Sequence, residues 1–436
     1  MTTSHILGLP RIGSNREAKK AVEAYWRGEL TPIELDNIGQ KLQEENWKIQ
    51  AEAGLDFITV GDFSWYDHVL DTTAMLGVIP KRFGENHNLV DLDTIFCMAR
   101  GRAPNVKEVA ACEMTKWFNT NYHYIVPEFT ENQDFHLATH TLFASVERAL
   151  KLGYQAKPVL LGPLTFLWLG KTKGTEFDKL TLIPKLLPIY NQIFAKLKQQ
   201  GITWVQIDEP ILVLDLPQTW KNAFVSLYQQ LNFNTLKCLL TTYFGSLDDN
   251  LSLACQLPVH GLHIDLCSAP EQLEIVLSQL PSDKILSLGI VNGRNIWRIN
   301  LKATLNVLKN SQTKISERLW LASSCSLLHV PVDLEKEKKL DEEIKSWLAF
   351  AKQKISEVAL LTKALKQGEQ SISTQLAENQ AAINSRNKSP VIHNPAVQNR
   401  IAGLTVDFAK RQSPYQQRAK VQQAVLQLPL LPTTTI

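Results

Sequence analysis

Residues 180–207 read LTLIPKLLPIYNQIFAKLKQQGITWVQI, a helical pattern followed by a short apolar and β-branched run. The helical part covers Leu180–Gln200. The run Thr203–Ile207 is continuous rather than alternating, which is typical of a strand buried on both faces. Seven further runs of this kind occur along the chain: His5–Leu9, Asp56–Val60, Pro158–Leu161, Lys237–Thr241, Gly261–Leu266, Ile285–Ile290 and Leu319–Ala322.

Helical patterns separate many of these runs, for example Thr31–Glu52, Pro270–Leu280 and Leu301–Lys309. Repeated alternation of strand and helix indicates a parallel sheet. Eight such units favour an α/β fold that closes into a (β/α)8 TIM-type barrel. An open doubly wound sheet is the alternative, but no G-x-G-x-x-G fingerprint follows the first strand.

The C-terminal part of the chain has a different character. Asp333 is placed to cap a helix that begins at Glu335, continues to about Gln367 and stops at Gly368. From residue 370 onward the sequence is rich in Gln, Asn and Ser and then becomes basic. We therefore expect the barrel at residues 1–332, and packing helices with a linker at residues 333–436.

The composition excludes several classes of protein. The 436 residues are 44% hydrophobic and 20% charged, which is too apolar for a disordered chain. The net charge of +3 is too small for a nucleic-acid-binding surface. The longest apolar run, Pro158–Gly170, is shorter than the ~20 residues that a membrane span needs. The six cysteines form no C-x-x-C pair, which favours a reducing, cytoplasmic location.

Three stretches at predicted strand ends carry residues suited to binding. Gly8–Gly13 leads into Arg and Lys residues at a helix start, where carboxylates or phosphates can bind, although a solvated helical turn also explains them. The stretch Val60–His68 combines aromatic rings, carboxylates and a histidine, which suits a flat heterocycle or simple packing. The third, Glu113–Tyr124, lies in an insertion of almost a hundred residues after the second strand, and such insertions lie on the ligand face of a barrel.

Two further sets of residues could carry chemistry. Asp208 and Glu209 are neighbours at a strand end, so they point to opposite faces, one to the barrel mouth and the other to cap the next element. A zinc site requires three or four converging ligands, and the alternating set on the sixth strand lacks a second cysteine or histidine at ligand spacing. The residues of that set are His263, Asp265 and Cys267, and Cys325 is a further cysteine at the end of the last strand.

Several motifs resemble the cobalamin-independent methionine synthase family across essentially all 436 residues. They are GLPRIG at 8–13, NREAKK at 15–20, VGDFSWYDHV at 60–69, EMTKWFNTNYHY at 113–124, WVQIDEP at 204–210, NGRNIWR at 292–298 and ASSCSLLH at 322–329.

The resemblance implies two face-to-face barrels, of which this sequence is similar to the N-terminal barrel and the linker. In the family the second barrel holds the catalytic zinc, bound by one histidine, two cysteines and a glutamate, together with most of the homocysteine pocket. The resemblance therefore assigns no catalytic residue and no metal ligand to this sequence, and it implies no cobalamin.

The resemblance assigns a binding role for the polyglutamate tail of 5-methyltetrahydrofolate to seven residues: Asn15, Arg16, Glu17, Ala18, Lys19, Lys116 and, more weakly, Asn121. Asn15 and Ala18 depart from the family pattern, which expects a basic residue and a leucine there. Ile436 matches the first residue of the homocysteine contact.

The expected function is the N-terminal half of a methyltransferase that makes methionine from homocysteine, with the C-terminal barrel of the same protein as partner. This half is expected to bind folate polyglutamate and to be inactive alone. Two alternatives remain, a stand-alone folate-binding barrel and a barrel hydrolase that uses Asp208 or Glu209.

Overall fold

The computed structural model describes residues 2–84 and 88–433. Its contacts divide the chain into two compact units, residues 1–383 and 384–436. The boundary predicted after residue 332 falls inside the first unit. No helix in the described part of the chain combines the length and the hydropathy that crossing a bilayer requires.

Eight parallel strands form the centre of the first unit. They are β1 (Thr3–Ser4), β2 (Ile58–Val60), β3 (Ala156–Leu161), β4 (Trp204–Asp208), β5 (Lys237–Thr241), β6 (Gly261–Asp265), β7 (Ile285–Val291) and β8 (Leu319–Ser323). From β2 to β8 each strand pairs with its neighbours in chain order, and β1 pairs with β8. The sheet closes between β1 and β2, where the Phe57 N–H donates to the Ser4 carbonyl oxygen at 3.1 Å. The predicted (β/α)8 barrel is confirmed.

The helices of this unit surround the barrel or belong to its insertions. They are α1 (Glu17–Trp26), α2 (Pro32–Glu52), α3 (His68–Met75), α4 (Leu92–Arg100), α5 (Thr141–Lys151), α6 (Pro163–Leu169), α7 (Ile183–Gln199), α8 (Gln218–Gln230), α9 (Leu251–Gln256), α10 (Gln272–Gln279), α11 (Leu301–Ile315), α12 (Glu342–Ser346), α13 (Ala351–Gln367) and α14 (Ser373–Lys388), which includes the boundary. The second unit contains α15 (Pro395–Ala402) and α16 (Tyr415–Leu426). The four predicted helices before residue 332 correspond to α2, α7, α10 and α11.

The insertion after β2 contains α3, α4 and an antiparallel hairpin. The hairpin pairs Met114–Lys116 with His123–Ile125, and we call residues 114–125 the insertion hairpin. A second, two-residue pairing joins Glu128–Phe129 to Lys171–Thr172. A separate small apolar core, which includes Leu70 and Ile125, ties the insertion together.

Two predicted elements differ from the structure. The first strand is Thr3–Ser4 rather than His5–Leu9, because the later N–H groups of Leu7 and Leu9 bond to side chains of Ser323 (3.4 Å) and Asp62 (2.7 Å) instead of a neighbouring strand.

The single helix predicted from Glu335 to Gln367 is wrong. Asp333 caps only a 3₁₀ turn over Leu334–Lys336, and α12 and α13 are separate. The apolar residues between them pair with residues 296–298 by backbone bonds, such as Ala349 N–H to Ile296 O at 2.8 Å. Pairing with another segment therefore replaces helical bonding at that point. Gly368 does end α13, with a φ of 85° that suits glycine.

An ion pair links α13 to the point where the barrel closes. Lys366 lies 2.7 Å from the Asp56 carboxylate, and the same carboxylate accepts a hydrogen bond from the Ser4 N–H at 2.7 Å. The segment after the last strand is thus attached to the first two strands.

Candidate functional site

A cavity of about 360 Å³ lies at the carboxyl ends of the barrel strands, where ligands bind in this architecture. Its walls come from the segment after β2, from the ends of β4 and β5, from the loop after β8 and from the insertion hairpin. Among the lining residues are Asp62, Trp65, Trp117, Asp208, Phe244 and His329.

Helix α3 delivers two of the polar groups. The Asp67 carboxylate caps this helix by accepting a hydrogen bond from the Leu70 N–H at 2.8 Å. His68 and Asp71 are three residues apart on the helix, so they share a face, and both line the cavity. The local fold at the start of α3 therefore places an imidazole and a carboxylate side by side.

The carboxylates around the cavity are held away from bulk water. Burial raises the pKa of Asp71 to about 7, although a hydrogen bond from Ser64 acts in the opposite direction. Burial also raises the pKa of Asp62 to about 6, against the bond that its carboxylate accepts from the Leu9 N–H. The pKa of Asp208 is raised for the same reason. Each carboxyl can therefore hold a proton near neutral pH.

A buried lysine lies beneath the cavity. The Lys157 ammonium donates to the Gln206 side-chain oxygen, and the Gln206 amide donates to Asp208 at 2.8 Å. Tyr243 also donates its hydroxyl to Asp208, at 3.0 Å. Burial lowers the pKa of Lys157, while the charges of Asp208 and Asp62 oppose that change.

Two histidines in the wall are uncharged at neutral pH. Burial lowers the pKa of His68 to about 3, and the nearby Arg11 charge lowers it further. Burial likewise lowers the pKa of His329 to about 4, with help from the charges of Arg294 and Arg11. Both rings therefore act as neutral aromatic surfaces.

The insertion hairpin forms a roof over the cavity. Trp117 lies edge-on to His68 at 4.4 Å between ring centroids, and Tyr122 lies edge-on to His329 at 5.3 Å. The Arg294 guanidinium donates two hydrogen bonds, both 2.9 Å, to the side-chain and backbone oxygens of Asn119. The turn of the hairpin is thus fastened to the loop after β7.

The prediction that Asp208 and Glu209 face opposite sides is confirmed, but the expected cap on the next element is wrong, because the Glu209 carboxylate caps α6, which comes earlier in the chain. Asp208 lines the cavity, whereas Glu209 is fully buried and its carboxylate contacts the first turn of α6. There the Glu209 carboxylate accepts bonds from Thr165 N–H at 2.7 Å, Thr165 hydroxyl at 2.6 Å and Tyr228 hydroxyl at 3.1 Å. A Cβ at Gly162 would come within 2.1 Å of the Glu209 carboxyl carbon, so only glycine fits at that position. The two carboxylates therefore do not form an acid–base pair.

The segment predicted to bind the polyglutamate tail lies at the start of α1. Arg16 and Lys19 are exposed, and Lys19 lies 3.6 Å from Glu23 on the same helix. The Glu17 carboxylate accepts bonds from the backbone and side-chain N–H groups of Asn15, both at 2.9 Å. Ala18 is buried. The charged side chains of this segment are therefore directed to the surface.

The other predicted tail-binding residues lie on the insertion hairpin. Lys116 and Asn121 are both exposed and flank its turn. Within residues 2–84 and 88–433 no hydrogen bond or ion pair joins them to residues 15–19. Arg11 contacts the insertion hairpin, since its guanidinium lies 6.0 Å from the centre of the Tyr122 ring, and it also donates to the Tyr66 carbonyl oxygen. Ile436 lies outside the described residues.

The residues that were candidates for zinc ligands form hydrogen bonds with other groups of the protein. His263 Nδ1 lies 2.8 Å from the Ser287 hydroxyl, and the Asp265 carboxylate accepts from the N–H groups of Cys267 and Ser268, both at 2.9 Å. Cys325 is buried. In the described ranges no group of three or more His, Cys, Asp or Glu residues is placed to hold a metal ion. These residues do not fit a zinc site.

Sequence reasoning did not single out several residues of the site. Asp71, Tyr243 and Phe244 were missed because they lie beyond the strand-end stretches that were examined. Arg294 was part of a quoted motif but received no role. These residues could have been found from their positions, because each lies just after a strand or near the start of a helix on the ligand face of the barrel.

Comparisons with known proteins agree with the fold of this chain. Residues 3–316 match the family described as cobalamin-independent synthase, N-terminal domain. The 5-methyltetrahydropteroyltriglutamate–homocysteine methyltransferase of Coxiella burnetii (strain Dugway 5J108-111) is 60% identical over 437 residues, covering 100% of this chain and 56% of the relative. The protein of the same name from strain RSA 493 has the same values. The chain thus spans about half the length of these curated relatives.

Two solved structures share the fold. A putative vitamin-B12-independent methionine synthase from Listeria monocytogenes has a TM-score of 0.55 at 14% identity, covering 84% of this chain and 99% of that one. A B12-independent methionine synthase from Shewanella sp. W3-18-1, in complex with selenomethionine, has a TM-score of 0.59 at 12% identity, covering 85% and 98%.

Proposed function

The chain belongs to the cobalamin-independent methionine synthase family, and from this we propose that it is the N-terminal half of a methyltransferase. The whole protein moves a methyl group from 5-methyltetrahydrofolate polyglutamate to homocysteine, and methionine is the product. The names of the Coxiella relatives, which state both substrates, support this proposal.

In this proposal the chain's own task is to bind the polyglutamate tail. The observation that carries it is the exposure of Arg16, Lys19 and Lys116 on the segments that follow β1 and β2, on the ligand face of the barrel. The tail is a polyanion, so it requires exposed cations that are not neutralised by buried partners. Asn121 is a further polar contact from the same hairpin.

The residues between the cations have supporting roles in this proposal. The Glu17 carboxylate already accepts two hydrogen bonds from Asn15, so neither of these two side chains has all of its donors or acceptors available for the tail. Ala18 packs inward and fixes the face that α1 presents. On this segment recognition then depends on the Arg16 and Lys19 side chains, together with Lys116 of the insertion hairpin.

We assign the transfer chemistry to the part of the relatives that this chain does not span. In this proposal that part would hold the zinc and supply the activation of the homocysteine thiolate, and Ile436, which lies outside the described residues, would be a homocysteine contact. A barrel hydrolase using Asp208 or Glu209 is not favoured, because the two carboxylates face opposite sides and are already hydrogen-bonded. The stand-alone folate-binding barrel is the alternative that experiment has to separate.

The direct test titrates the chain with mono- and triglutamate forms of methyl-folate at low and high salt. A charged hydrogen bond contributes about 1.5–3 kcal/mol, so Lys116→Ala should weaken triglutamate binding by about ten-fold or more and monoglutamate binding much less. Lys198→Ala is the matched control, because Lys198 is exposed at the end of α7 that precedes β4, on the opposite face of the barrel.

Two results would contradict the proposal. Equal weakening of both ligands by Lys116→Ala would remove the tail-binding role. Methyl transfer to homocysteine by residues 1–436 alone would show that the division of labour is wrong. Transfer by a protein of the relatives' full length, but not by residues 1–436, would reject the stand-alone alternative.

A further inference from the structure

The charges around the cavity do not balance. Among the described residues four carboxylates lie in or beside the cavity against three cations, and the two histidines of the wall are neutral. The carboxylates are Asp62, Asp71 and Asp208 in the lining and Asp67 beside Asp71, and the cations are Arg11 in the lining, Lys157 near Asp62 and Asp208, and Arg294 near His329. Asp36, at the exposed edge of the cavity, adds further negative charge. A buried site with surplus carboxylates either takes up protons or accepts a counter-charge, and a bound cation can replace those protons.

Asp71 has the weakest set of partners among these carboxylates. Asp67 accepts bonds from the N–H groups of Leu70 (2.8 Å) and Ile125 (2.9 Å). Asp208 accepts from two side chains and lies near Lys157. Asp71 has the hydrogen bond from Ser64, and in the described part of the chain no cation forms an ion pair with it.

Aromatic and apolar side chains line the same cavity as Asp71. Among them are Trp65, His68, Met75 and Trp117. The negative faces of aromatic rings attract cations, and rings next to a carboxylate are the usual surroundings of a bound organic ammonium group. The volume of about 360 Å³ matches the lower range of small-molecule sites.

We propose that this cavity binds a compact organic monocation, an ammonium group on an apolar or aromatic body, with Asp71 as its counter-charge. The polyanionic folate tail is excluded from this site by the same carboxylates, so the cation site and the tail surface are separate. The inference therefore does not depend on the role assigned to Lys116.

Binding of the cation is coupled to ionisation of the wall. The raised pKa values of Asp62 and Asp71 mean that a cation binds best after these groups lose their protons. Arg11 and Lys157 face the same groups and favour their ionisation, whereas Asp67 opposes that of Asp71. We expect the affinity for the cation to rise between pH 5.5 and 8.

The test uses three probes of nearly equal size and different charge: 2-phenylethylammonium, 2-phenylethanol and 3-phenylpropionate. Ligand-observed NMR and tryptophan fluorescence measure binding, because Trp65 and Trp117 line the cavity. The expected order of affinity is cation, then alcohol, then anion. This comparison needs no variant, so it stands even if a substitution impairs folding.

Asp71→Asn keeps the size of the side chain and removes its charge. It should weaken binding of the ammonium probe at pH 7.5 by at least ten-fold and leave the alcohol unchanged. The matched control is Asp215→Asn, at an exposed position outside the cavity lining. Absence of binding by the ammonium probe, equal binding of the anion, or equal affinities of the Asp71→Asn and Asp215→Asn variants would overturn the proposal.

Discussion

Asp71→Asn should stabilise the protein at neutral pH. The pKa of Asp71 rises from 3.8 to about 7 in the fold, and each tenfold change in proton affinity corresponds to about 1.4 kcal/mol. Ionisation of this carboxyl therefore lowers the free energy of unfolding by up to about 4 kcal/mol. Because the folded pKa is raised, the contribution of Asp71 to stability is fully present below pH 4 and is lost as pH rises through about 7.

Asparagine has no such dependence, so the gain from the substitution should grow with pH. We expect the stability advantage of the variant to grow by about 3 kcal/mol between pH 4.5 and pH 7.5, from about 1 to about 4 kcal/mol. Urea unfolding at four pH values between 4.5 and 7.5 measures the difference directly. Asp215→Asn, at an exposed site, should shift stability by less than about 0.5 kcal/mol at every pH. A difference between Asp71→Asn and the unmodified protein that stays constant with pH would refute the reasoning.

Two further predictions concern the supports of the site. Glu209→Ala should lower the free energy of unfolding by about 3–5 kcal/mol, because it leaves buried donors of Thr165 and Tyr228 without an acceptor. Thermal unfolding checks this, and a loss below about 1 kcal/mol would mean that water or another group replaces the carboxylate. Arg294→Ala should speed amide exchange in residues 117–122 while changing global stability by less than about 1 kcal/mol. Arg318→Ala is its control, because Arg318 bonds to carbonyl groups of Pro281 and Lys284 away from the hairpin, and equal exchange in both variants would exclude the fastening role.

The barrel was predictable because its strands are buried on both faces. A short, mostly apolar run without alternation, such as Lys237–Thr241, is enough to predict a buried strand. The predicted ends of this strand match the structure. The segment between α12 and α13 gave a false signal. Trp347, Leu348 and Phe350 have helical spacing and are buried, yet α12 ends at its C-cap residue Trp347 and the chain then pairs with residues 296–298. A pairing with a partner some fifty residues away leaves no trace in local periodicity.

The candidate site was predictable only where strand geometry alone decides the direction of a side chain. The opposite orientations of Asp208 and Glu209 follow from the alternation of a strand. The position of Asp71 depends on a helix that begins only because Asp67 caps it, and the contact between Phe244 and the hairpin depends on tertiary packing. The tail-binding roles of residues 15–19 and of Lys116 stay predictions, since exposure alone does not identify a ligand.

The barrel can close only after the strand β8 has been synthesised. Thr3 pairs with Trp320, so the first strand acquires its second neighbour only after more than three hundred further residues have been made. At about 5–20 residues per second, the nascent chain exposes an open sheet edge at β1 for roughly 15–60 s. Lys366, which bonds to Asp56 at the same seam, emerges later still. Chaperones at the ribosome therefore meet an incomplete barrel, and slower translation of residues 270–320 should lengthen the period in which that edge is open to aggregation.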